Sequence, residues 1–72
     1  MSGGVKLKLE NRLKVVMAEK DMRVIDLANK TKLNANYLTD VRNGRVEPGI
    51  YNALVIARAL NVNVEDIWYI KK

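Results

Sequence analysis

The stretch Val24 to Val41, VIDLANKTKLNANYLTDV, limits what this chain can fold into more than any other. Val24, Leu27, Ala28 and Thr31 fall at i, i+3, i+4 and i+7, one face of a helix over about 24–31. Asn34, Tyr37, Leu38 and Val41 repeat that spacing over about 34–43. Lys32 and Leu33 leave room only for a tight turn between the two, and Ala28 is small enough for the helices to cross there. Asn34 suits the N-cap of the second helix, because its side-chain oxygen can accept from N–H groups that the first turn leaves unpaired.

The flanking sequence also reads as helical, so the expected class is all-α. A first helix is expected over about Leu9–Lys20, with Leu9, Leu13, Val16 and Met17 inward and Arg12, Lys14 and Glu19 solvated. Asp26 lies in the first turn of the second helix, where a carboxylate favours the positive end of the helix dipole. After the third helix, Gly44 supplies a left-handed cap and Pro48-Gly49 punctuates the next loop. A fourth helix over about Ile50–Leu60 is apolar almost all round, with only Asn52 and Arg58 polar and Tyr51 ambiguous, which predicts a central position. Asn61 ends it, and Asn63 with Asp66 predicts a fifth short helix through Trp68. Residues 1–8 are expected to be a flexible leader, of which Met1–Gly4 reads as a loose start or part of a tag. The domain is expected to occupy 9–70.

Composition narrows the chemistry. Seventy-two residues make one domain at most, and a chain this short buries only about 60% of its unfolded surface. There is no Cys and no His, so neither disulfides nor soft-metal sites are available, and no metal or cofactor is expected. An enzyme would need a nucleophile–base pair, a perturbed acid or a metal, and only scattered carboxylates are present. Thirteen Lys and Arg against eight Asp and Glu give a net charge of +5, which suits a polyanionic partner. No apolar run approaches the roughly 20 residues of a membrane span, and no signal peptide is evident, so a cytoplasmic protein is expected.

The chain resembles the phage-repressor and Cro-type helix-turn-helix family, also called the XRE family, over about Leu9–Trp68. The resemblance is carried by Leu27-Ala28, by Leu33 in the turn, by Leu38 and Val41, and by the Arg42-Asn43-Gly44-Arg45 exit. It continues through Pro48, Ile56-Ala57-Arg58-Ala59-Leu60-Asn61-Val62 and Val64-Glu65-Asp66-Ile67-Trp68. It implies a compact five-helix, lambda-repressor-like domain that binds double-stranded DNA by placing its second motif helix, the recognition helix, in the major groove. Two departures stand out. Arg23 and Val24 occupy positions where the family usually has a small polar cap and a phosphate-binding Gln, and Lys32 stands where Gly is usual in the turn. Lys32 must then adopt a positive φ at some cost, or the turn differs slightly from the family's.

With Leu38 at the centre of the buried face, a rotation of about 100° per residue turns Asn36, Thr39, Asp40 and Asn43 away from the core. The resemblance adds the first helical turn, so the expected base-reading set is Asn34, Ala35, Asn36, Thr39 and Asp40. Asn36 can pair with adenine N6 and N7, Ala35 can touch a thymine methyl, Thr39 can donate or accept, and Asp40 can accept from cytosine N4. Asp40 needs a partner near phosphates, either that amino group or a cation such as Arg42. Arg23, Lys32, Arg42, Asn43 and Arg45 form the expected backbone clamp; Tyr37 is expected to pack at the edge of the core and joins the clamp if its hydroxyl reaches a phosphate.

One such motif reads half a site, so the resemblance implies a homodimer on a palindromic operator with half-sites about 34 Å apart. Trp68, Tyr69 and Ile70 are the expected dimer surface, being apolar and close to the end of the sequence. The function expected is a transcriptional regulator, specifically a repressor. The alternative is an antitoxin or anti-repressor acting mainly through a protein partner, which a recognition helix with cancelling Asp40 and Arg42 would suit.

Overall fold

The two motif helices form where their periodicity placed them. In the computed structural model, which describes residues 7–71, α1 is Leu13–Glu19, α2 Val24–Thr31, α3 Ala35–Arg42 and α4 Ile50–Ala59. A single 3-10 turn, Val64–Asp66, follows α4. The four helices are joined by a two-stranded antiparallel ribbon of β1, Lys8–Asn11, and β2, Trp68–Lys71.

That ribbon corrects the all-α, five-helix expectation at both ends. Where a helix from Leu9 was expected, Leu9 faces Ile70 and Asn11 faces Trp68 across the ladder. The helix begins only after Asn11, whose side-chain oxygen accepts from the Leu13 N–H at 2.8 Å. Where a fifth helix was expected, the chain makes one turn, with the Asp66 carboxylate accepting from the Asn63 N–H at 2.9 Å. It then extends through Trp-Tyr-Ile, residue types that suit a pleated surface. Arg12 N–H donates to the Ile67 carbonyl at 2.8 Å and fastens the two ends together. Of the leader expected over residues 1–8, residues 1–6 lie outside the described residues, while Lys8 already pairs with Lys71 in the ladder.

The core is continuous. Leu13, Val16 and Met17 from α1, Leu27 from α2, Leu38 and Val41 from α3, and Ala53, Ile56 and Ala57 from α4 enclose it, with Leu60, Ile67 and Trp68 closing the base. Helix α4 is not central all round. Its inner stripe is buried against α2 and the 3-10 turn, but Ile50 and Tyr51 are each 74% exposed and Leu54 51% exposed. So few elements surround α4 that they cover one side of it. The chain also passes through left-handed geometry at Asp21, Lys32, Gly44 and Asn61, each marking the end of a helix.

Candidate nucleic-acid interface

The turn between α2 and α3 is stitched at several points. Thr31 Oγ1 donates to the Leu27 carbonyl at 2.8 Å and accepts from the Leu33 N–H at 3.2 Å. Lys32 has φ 63°, so of the two outcomes open to it the turn takes the positive φ, and its N–H returns to the Ala28 carbonyl at 2.8 Å. Asn34 then caps α3, its Oδ1 accepting from the N–H groups of Asn36 at 2.8 Å and Tyr37 at 3.2 Å. This cap fixes the direction in which the first turn of α3 projects.

The outer face of α3 carries the expected readers in unequal chemical states. Asn36 is exposed, and its side chain makes no hydrogen bond among the described residues, so the whole amide is available. Asn34 has committed its carbonyl to the cap and keeps its amide N–H groups. Thr39 Oγ1 donates to the Ala35 carbonyl at 3.0 Å, which leaves that hydroxyl only as an acceptor. Ala35 is half-buried beside them.

Asp40 has the cation it needs, but the partner is Arg45 and not Arg42. Arg45 Nη1 lies 3.3 Å from Asp40 Oδ1, and the Arg45 N–H donates to the Asp40 carbonyl at 2.9 Å. Gly44, at φ 79°, turns the chain so that Arg45 folds back along the helix. Arg42 is half-buried and its Nε donates to Asn43 Oδ1 at 3.4 Å.

At the start of α2, the Asp26 carboxylate accepts from the Arg23 N–H at 3.1 Å and from the Arg23 Nε at 3.3 Å. The backbone hydrogen bond, aided by the guanidinium, holds the Asp26 carboxyl below the usual carboxylate range. Arg23 therefore closes its helix through a side chain one turn later and remains exposed, as Lys32, Asn43 and Arg45 do.

One residue of this surface escaped the reading of the sequence. Asn52, in the first turn of α4, donates from Nδ2 to the Tyr37 hydroxyl at 3.0 Å. Its signal was present: Asn52 is one of two polar residues in an otherwise apolar helix, but nothing local says which neighbour it meets. Asn11 is a second case, its Nδ2 reaching the Val41 carbonyl at 2.8 Å and tying β1 to the end of α3. Among the residues expected at a dimer surface, Trp68 belongs to the domain's own core at 9% exposure. Tyr69 and Ile70 are 39% and 53% exposed. No group of three or more His, Cys, Asp or Glu among the described residues could hold a metal ion, and no helix among them is long and apolar enough to cross a membrane.

Comparison with known proteins converges on this motif. Residues 12–72 match the family of Cro/C1-type HTH DNA-binding domains. The HTH-type transcriptional regulator DdrOP3 of Deinococcus deserti is 28% identical over 61 residues, which cover 85% of this chain and 47% of that protein. The chain thus spans about half the length of that relative. The crystal structure of a Bacteroides fragilis protein with a proposed DNA-binding role matches with a TM-score of 0.79 at 26% identity, covering 86% of this chain and 100% of that one.

Proposed function

The chain belongs to the family of Cro/C1-type helix-turn-helix DNA-binding domains, and we propose that it is a repressor that occupies a palindromic operator as a homodimer. The family is a DNA-binding one and not a family of enzymes. The observation that carries the finer reading is the first turn of α3. There a capped helix start leaves the amide of Asn36 exposed and unbonded among the described residues, flanked by Ala35 and Asn34, which supports base-edge readout. Thr39 and Asp40 continue that face, with Asp40 set to accept from cytosine N4 once Arg45 turns to a phosphate.

Arg23, Lys32, Arg42, Asn43, Arg45 and Tyr37 serve as the backbone contacts, and residues 9–70 as the binding unit. Ile70, with Leu9 across the ladder, supplies the dimer surface, and Tyr69 lies on the ribbon's other face. A cytoplasmic site of action goes with a DNA partner. Repression needs no further part of this chain, because a dimer seated on a promoter excludes other proteins by occupancy.

Selection of bound sequences from a random duplex pool, at about 0.15 M salt so that purely electrostatic binding is suppressed, tests the reading. An inverted repeat with fixed spacing is the expected result. Recovery of no consensus would transfer the role to a protein partner, with the basic surface reduced to a non-specific anchor.

A further inference from the structure

Tyr37 is held at two points. Its N–H donates to Asn34 Oδ1 on its own helix, and its hydroxyl accepts from Asn52 Nδ2 on the neighbouring one, at 3.0 Å. Both side chains are half-buried where the first turns of α3 and α4 meet. A phenol hydroxyl has one hydrogen to give and lone pairs to receive with. Asn52 uses a lone pair, and no acceptor among the described residues takes the hydrogen.

We propose that Asn52 is a positioning residue for DNA binding: by donating to the Tyr37 hydroxyl, it reserves the phenol's hydrogen for a phosphate oxygen of the duplex. The proposal rests on the DNA contact assigned to Tyr37 above. What matters is the direction of the bond as well as its presence. An acceptor at position 52 would hold the ring equally well but would capture the hydrogen. A donor at position 52 fixes the ring and leaves that hydrogen free, so little side-chain freedom remains to be lost on binding. The phenol is neutral, so its contact strengthens binding without releasing a counterion, unlike the contacts of the surrounding arginines and lysines.

A phosphate contact is blind to sequence, so a labelled duplex of arbitrary sequence is a sufficient probe. Its affinity is measured across a salt series for the parent protein, Y37F, N52A, N52D, Y37F/N52A and Y37F/N52D, with the melting temperature of each recorded alongside. Y37F and N52A should each weaken binding about fivefold to tenfold, with an unchanged salt slope, and Y37F/N52A should be no weaker than Y37F alone. N52D should melt close to the parent, because the inter-helix bond survives with its polarity reversed, yet it should bind less tightly. That loss should shrink in the Y37F background, where only the added charge remains.

An N52A protein that melts lower but binds as the parent does would make the bond merely structural and overturn the proposal. So would N52D binding as tightly as the parent, or losses from Y37F and N52A that add. If the parent itself fails to bind any duplex, the DNA reading falls and this inference falls with it. If the parent binds and the Asn52 variants are indifferent, only the inference fails.

Discussion

The Arg45 guanidinium, 3.3 Å from the Asp40 carboxylate, decides how much negative charge α3 shows to a phosphate backbone. R45A removes one cationic contact and also leaves Asp40 unneutralised, so binding should weaken on every sequence, with the salt slope reduced by about one unit. Adding D40N to R45A should recover part of the affinity. N36A should behave differently, relaxing base preference at one position per half-site by about 1–3 kcal/mol while leaving the salt slope nearly unchanged. Equal losses from N36A on all duplexes would remove Asn36 from the readers. Asp26 adds a pH dependence. Its carboxyl is held below the ordinary range by the Arg23 N–H and guanidinium. The stability it contributes is therefore fully present above the ordinary carboxylate pKa and lost as pH falls through the lowered value in the folded protein. D26N should melt lower than the parent near neutral pH, and the two should converge in acid below that lowered value. A gap that persists there would show that Asp26 acts through something other than its charge.

At the scale of elements, the turn contains its own test. Lys32 holds φ 63°, a region where a side chain is strained and glycine is not. K32G should raise stability by up to about 1 kcal/mol and at the same time weaken duplex binding through loss of a cation. A melting temperature that falls would mean that Lys32 is not strained in this turn. The turn was legible in the sequence because its signals are local: the two apolar stripes, the Asn34 cap and Gly44 each act within one or two helical turns. The ribbon was not. The alternation around Leu9 is short, and its partner strand lies at the far end of the sequence, so neither segment declares itself without the other. The first turn of a helix from Leu9 competes with that pairing and loses, because a strand there satisfies backbone groups at both ends of the domain. For α4 the pattern misled in the opposite sense. An apolar composition all round predicts burial only when enough neighbours exist to cover it, and a four-helix domain leaves Tyr51 and Leu54 outside. The Tyr37–Asn52 bond was invisible for the same reason as the ribbon, since it joins two helices whose relative placement only the fold decides.

For the molecule as a whole, the proposed homodimer depends on which face would meet a second copy. The domain is small enough that its own core leaves little margin, and the palindromic operator proposed above would take two copies to read. Residues opposite one another in an antiparallel ribbon share a face, so Leu9 and Ile70 extend the surface that begins at Asn11 and Trp68. Trp68 turns into the core, whereas Leu9 and Ile70 remain exposed beyond it, with Tyr69 exposed on the opposite side. Lys8 stands directly across from Lys71, the outermost described pair of the ribbon, a like-charge pair that discourages indiscriminate strand addition there. The apolar residues between those lysines and the core are thus the part of the ribbon suited to a selective contact. I70D should shift sedimentation from dimer toward monomer and weaken operator binding more steeply as protein is diluted. Because Ile70 is exposed in the protomer, the helical circular dichroism of I70D should stay at the parent's level, which separates loss of pairing from loss of fold. An unchanged mass would instead place the dimer on another apolar surface, and the uncovered side of α4, with Ile50, Tyr51 and Leu54, is then the face to substitute next.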